Sequence, residues 1–85
     1  MKKSLANQIA KLWNESLAGS YELTKTYAET RKGENGDYCV EIYPCSKNDG
    51  RSFHQHKELA DIEGVFGVNA FTKIGRDNKL YARIF

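Results

Sequence analysis

The apolar residues of this 85-residue chain keep two different periods, and the order in which those periods alternate restricts its fold more than any single motif. In residues 4–18, Leu5, Ile9, Leu12, Trp13 and Leu17 recur at helical spacing, so one apolar stripe forms along a helix. Ser4 is a suitable N-cap and Gly19 a suitable stop. From Ser20 the period drops to two. In "SYELTKTYAET", Tyr21, Leu23, Lys25 and Tyr27 alternate with Glu22, Thr24 and Thr26, as in a half-exposed strand rich in Thr and Tyr. "RKGENGD" supplies turn chemistry. "DYCVEIYPC" then sets Tyr38, Val40 and Ile42 on one face and Cys39, Glu41, Tyr43 and Cys45 on the other, giving a first hairpin. Pro44 marks a strand end or a sheet edge.

The same order then repeats. After the loop "SKNDGRS", Leu59, Ile62 and Phe66 follow helical spacing from a start near His56 or Lys57, and Gly64 and Gly67 keep the helix short. The tail "VNAFTKIGRDNKLYARIF" reads as a second hairpin. Ala70, Thr72 and Ile74 alternate before the turn "GRDN", and Leu80, Ala82 and Ile84 oppose Tyr81, Arg83 and Phe85 after it. The expectation is an α+β fold of order αββαββ: a four-stranded, mainly antiparallel sheet of two hairpins, packed against two helices. Residues 52–55 leave room for a short extra strand. The expected core is Leu5, Ile9, Leu12, Trp13, Val40, Ile42, Leu59, Ile62, Phe66, Ile74, Leu80 and Ile84. The length suits one compact domain over 1–85 and not two.

Composition narrows the function classes. With 40% hydrophobic residues and a single Pro, the chain carries enough apolar material to offset the entropy of ordering. A net charge of +2 and a pI near 8.6 fall below the domain pI above about 9 that marks a dedicated nucleic-acid binder. Lys2, Lys3 and Lys11 cluster early and Lys73, Arg76, Lys79 and Arg83 late, with Glu58, Asp61 and Glu63 between them. Asn7, Gln8, Lys11, Asn14 and Glu15 break any apolar run behind Met1-Lys2-Lys3. No segment reaches the roughly 18 apolar residues of a membrane span. A cytoplasmic location is therefore expected, without a membrane partner. Cys39 and Cys45 share one strand, which would hold their Cα atoms roughly 20 Å apart, so free thiols are expected.

The stretch "SFHQHKEL" is the sharpest candidate for chemistry. On a strand His54 and His56 would share a face and could share zinc. A structural site needs two further ligands, and Cys39 and Cys45 lack Cys-x-x-Cys spacing. The simpler reading turns Phe53 inward and leaves His54, Gln55 and His56 partly solvated ahead of the helix. Cys39 or Cys45 beside a histidine could in principle act as a nucleophile, but a strand cysteine is more often a small apolar residue. Glu58, Asp61 and Glu63 read as the solvated face of a helical turn. "GENG" and "GVFG" lack the context of a phosphate loop. No catalytic residue, metal ligand or cofactor is assigned, and zinc-binding or cysteine-based catalysis ranks last among the readings.

Binding is the stronger expectation. Tyr and Arg anchor interfaces, and Tyr21, Tyr27, Tyr38 and Tyr43 with Arg83 could form an aromatic and basic sheet surface for a protein partner, in a small non-enzymatic binding or regulatory module. The alternative is a nucleic-acid surface on the C-terminal hairpin, where Lys73, Arg76, Lys79 and Arg83 would meet phosphate while Tyr81 stacks on bases. An exposed tyrosine strip beside Arg83 favours the first reading. A continuous Lys/Arg groove favours the second. The sequence leaves the oligomeric state open.

Overall fold

A computed structural model describes residues 1–85, apart from the side chain of Phe53. Among the described residues, helix α1 (Lys3–Leu12) leads into a π-helical turn (Trp13–Leu17) and then strands β1 (Thr26–Lys32) and β2 (Tyr38–Pro44). A 3-10 turn (Arg51–Gln55) precedes helix α2 (His56–Phe66), and strands β3 (Ala70–Ile74) and β4 (Leu80–Ile84) complete the order αββαββ. All strand pairings are antiparallel, and the sheet order is β1-β2-β4-β3. The two hairpins are joined through β2 and β4, so β1 and β3 are the edges. The inward expectation for Phe53 lies outside the described residues.

Period-two alternation decides which face each strand buries. Ala28, Val40, Ile42, Leu80, Ala82 and Ile84 turn to one side and are buried. There they meet Ala6, Ile9, Ala10 and Trp13 from the first helical segment and Leu59 and Ile62 from α2. Leu5, Leu12 and Phe66 flank this core half-buried. Small Ala side chains at positions 6, 10, 28 and 82 let helix and sheet approach closely. Ile74 departs from the expected core. It ends edge strand β3 and is 46% exposed, whereas α1 packs over β1 and β2 at the opposite side of the sheet.

A chain of buried hydrogen bonds ties three elements together. Trp13 Nε1 donates to Thr26 Oγ1 at 2.9 Å, Thr26 Oγ1 donates to Gln55 Oε1 at 2.9 Å, and Gln55 Nε2 donates to the Leu17 carbonyl at 3.0 Å. Ser52 Oγ accepts from the Leu80 N–H at 3.0 Å. Ser52 and Gln55, three apart, are both buried, which matches the threefold period of a 3-10 turn. The strand expected at 52–55 is therefore a 3-10 turn, and Gln55 is a core hydrogen-bonding group rather than a solvated one.

Two further expectations shift. The first strand begins at Thr26, not Ser20, because local bonds close the intervening segment as turns: Thr24 N–H and Oγ1 both donate to the Tyr21 carbonyl, and Lys25 N–H donates to Glu22 O. Ser4 lies inside α1, whose flanking residue is Lys2 with no side-chain cap. Gly19 does end the helical run, at φ +85. Pro44 ends β2, the strand-end alternative of its expectation, and β2 is an interior strand of the sheet.

Candidate binding face on the uncovered side of the sheet

Residues that alternate away from the core form the second sheet face. Register places them in rows across the strands. One row runs Tyr27, Tyr43, Tyr81 and Lys73; the next runs Glu29, Glu41, Arg83 and Phe71. The tyrosines touch in sequence. Tyr27 stacks on Tyr43 with ring centroids 5.5 Å apart, and Tyr43 meets Tyr81 edge-on at 6.4 Å and 87°. Cross-strand aromatic pairs of this kind stabilise a sheet by roughly 0.2–1 kcal/mol each. Beside them Phe71 and Phe85 stack in parallel, 5.1 Å apart, and remain 62% and 45% exposed.

Glu41 organises the polar part of this face. Its carboxylate accepts a hydrogen bond from the Tyr43 hydroxyl, another from Arg83 at 2.9 Å, and an ion pair from Arg31 Nε at 3.5 Å. The Tyr43 donation, followed by the Arg83 and Arg31 charges, holds the Glu41 carboxyl below the usual carboxylate range against the opposing effect of burial. The same bond pushes the Tyr43 hydroxyl up. At the hairpin tip Tyr81 OH donates to Asp77 Oδ2 at 2.7 Å, which lowers the Asp77 carboxyl and raises the Tyr81 hydroxyl. Gly75 makes room for this bond, since a Cβ there would lie 2.8 Å from the Tyr81 ring. Asn78 takes a left-handed φ of 60 and closes the turn.

An open groove of about 830 Å³ lies on this face, lined by Tyr43, Phe71, Tyr81, Phe85 and Arg83 and rimmed by Lys73, Arg76 and Asp77. Of the residues expected to bind protein, Tyr43 and Arg83 line the groove, and Tyr27 lies on the same face beside it, stacked on Tyr43. Tyr21 does not, because it sits in the turn before β1. Tyr38 faces the other way, half-buried against the core with the Lys3 ammonium 5.9 Å above its ring. Of the nucleic-acid set, Lys73, Arg76, Tyr81 and Arg83 line the groove, and Lys79 lies outside its lining. Phe71 and Phe85 were missing from the protein-binding set. Alternation put Phe85 on the face of Arg83, but only the pairing of β2 with β4 carries that face across to Tyr43.

His54 and His56 are exposed, in the 3-10 turn and at the start of α2, so they do not share a strand face. Among the described residues no three His, Cys, Asp or Glu side chains converge as metal ligands. Cys39 and Cys45 are free thiols, both half-buried. Glu63 is not simply solvated: its carboxylate accepts the Ala70 N–H at 3.1 Å. Among the described residues, no helix is long and apolar enough to cross a membrane. The chain matches no protein-family profile, no curated protein and no solved structure.

Proposed function

We propose that this chain is a small non-enzymatic protein-binding module whose partner docks on the uncovered sheet face. The tyrosine strip beside Arg83, continued by the exposed Phe71–Phe85 stack, carries this reading. Aromatic residues and Arg in an open groove are the side chains that anchor protein interfaces. They are also held in place before a partner arrives, because Glu41 fixes Tyr43, Arg31 and Arg83 and Asp77 fixes Tyr81. Prior order of this kind lowers the entropy cost of docking.

Nucleic acid is the second reading, favoured by Lys73 and Arg76 at the groove rim. The charge arrangement weakens it. Arg31 and Arg83 are already engaged by Glu41 in the middle of the face, and that buried-side carboxylate repels phosphate. Backbone phosphate supplies most of the affinity of nucleic-acid binders.

The two readings separate by mutation and salt. Tyr27→Ser and Phe85→Ser together remove exposed aromatic surface without entering the core. A discrete protein partner should bind the parent chain at about 0.3 M salt, where exposed charges are largely screened, and lose roughly 30-fold or more in affinity on the double substitution. Submicromolar binding of DNA or RNA near physiological salt, abolished by neutralising Lys73, Lys79 and Arg83, would overturn the protein reading.

A further inference from the structure

The sheet has two edges, and the chain covers the first half of one of them. On β1, Asn14 acts as a surrogate strand: its Nδ2 donates to the Ala28 carbonyl at 3.0 Å and its Oδ1 accepts the Ala28 N–H at 2.7 Å. Thr26 N–H, one step along the same edge, donates to Ala18 O at 3.1 Å. Edge β3 is treated differently. Asn69 and Phe85 exchange both backbone bonds, at 2.8 and 2.9 Å, and Gly75 N–H donates to Lys79 O at 2.9 Å. Antiparallel bonding alternates, so Phe71 and Lys73 face β4, whereas Ala70, Thr72 and Ile74 aim their N–H and C=O groups away from the sheet. Glu63 takes only the Ala70 N–H. The outward groups of Thr72 and Ile74 face solvent on a strand that also exposes Phe71 and Ile74 side chains. Natural edges of this kind are usually blunted or paired.

We propose that β3 pairs antiparallel with β3 of a second copy of this chain, about a twofold axis through Thr72, to make a continuous eight-stranded sheet. The strand is self-complementary in this register. Thr72 lies opposite the partner subunit's Thr72, a favourable cross-strand pair, and both exchange backbone bonds. Ile74 lies opposite the small Ala70 of the partner subunit, and its N–H donates to that residue's free carbonyl. With the Ala70 N–H retained by Glu63, roughly four backbone bonds form. On the outer face Lys73 lies opposite the partner subunit's Phe71, where an ammonium and an aromatic ring attract. Sliding by two residues in one direction sets Lys73 against the partner subunit's Lys73, a like-charge pair. Sliding the other way removes Ile74 from the ladder. A twofold contact needs a patch that complements itself, and this strand meets that condition in one register. The seam takes up Phe71 and Lys73 at one margin of the binding face, while Tyr27 and Tyr43 on the far strands stay open, so dimerisation does not depend on a docked partner.

Sedimentation of the intact chain over micromolar to millimolar concentration tests the proposal. The mass should rise from 9.7 kDa toward about twice that value. Thr72→Pro removes an N–H that β4 does not use, at an edge position that tolerates proline. It should stay monomeric throughout while melting like the dilute parent chain. Ile74→Lys, at a half-exposed side chain, should also suppress dimerisation and serves as the second variant should the proline disturb folding. In the parent, amide exchange at Thr72 and Ile74 should slow as concentration rises, and exchange at Thr30 on the opposite edge should not. Tyr27→Ser, on the far strand, should leave the mass curve unchanged, which separates this contact from docking on the face. A parent chain that stays at 9.7 kDa near millimolar concentration overturns the proposal, even if β3 then accepts a strand from another protein. So does a folded Thr72→Pro variant that still dimerises.

Discussion

Thr26→Val probes the buried hydrogen-bond chain with little change in shape. Thr26 is fully buried, and its hydroxyl both accepts from Trp13 Nε1 and donates to Gln55 Oε1. Valine fills nearly the same volume but leaves Trp13 Nε1 and Gln55 Oε1 without the bond that Thr26 provided. A buried group that loses its hydrogen bond costs about 1–3 kcal/mol, and two are stranded here. The added methyl returns about 0.8 kcal/mol of apolar burial. The net loss should be about 1–5 kcal/mol, a large part of the stability of a chain this size, and should lower Tm by roughly 5–40 °C. Trp13 is the only tryptophan and sits at one end of the network, so its fluorescence reports unfolding directly. Urea unfolding of the parent, Thr26→Val, Gln55→Leu and the double variant gives a coupling energy for Thr26 and Gln55. The double variant should cost less than the sum of the singles, because each single already breaks the shared bond. A Thr26→Val chain that unfolds within about 0.5 kcal/mol of the parent would show that these bonds do not hold the elements together.

Asn14→Ala should lose about 1–2 kcal/mol, since both edge bonds to Ala28 revert to water, and it should raise the aggregation rate by opening β1; an unchanged urea midpoint would contradict the surrogate-strand role. Glu41 has a folded carboxyl pKa below its ordinary value near 4.5, so its contribution is present above that value and is lost as pH falls through the lower folded one. Glu41→Gln should therefore differ most from the parent in Tm near neutrality and converge with it in acid. Tyr43 shifts the other way, from an ordinary value of 10.0 upward, so its contribution holds below that pH and is lost as alkali takes the hydroxyl through its raised value. A Glu41→Gln melting curve parallel to the parent's across the acid range would argue against the Glu41–Tyr43–Arg83 cluster.

Much of the fold is legible in the order of the residues. The switch between a period near 3.6 and a period of two depends only on neighbours a few positions apart, and it yielded both helices, all four strands and the faces of β2 and β4. Turn positions were readable for the same local reason. Gly19 sits at positive φ, as does Asn78, where small or amide side chains are tolerated. The expected core was readable because alternation buries one side of each strand, and Ile42, Leu80 and Ile84 are buried as anticipated. Local pattern also misled. Tyr21 to Lys25 alternate like a strand, yet Thr24 bonds back to Tyr21, and period alone cannot weigh that competing local bond.

The candidate site was half legible. Alternation put Glu41 and Tyr43 on one face and Tyr81, Arg83 and Phe85 on another, but nothing local says that these two faces are the same. That follows from β2 pairing with β4 across roughly forty residues, which brings Glu41 opposite Arg83 and makes one aromatic surface out of two hairpins. The same holds for the buried polar groups. Thr26, Gln55 and Asn14 look like surface residues in sequence, and each is defined by a partner 13 to 38 positions away. Hydrophobic burial needs only that a residue turn inward, so the chain's periodicity determines it. A hydrogen bond needs a particular atom within about 3 Å and in line, and that condition is met only when distant segments have packed.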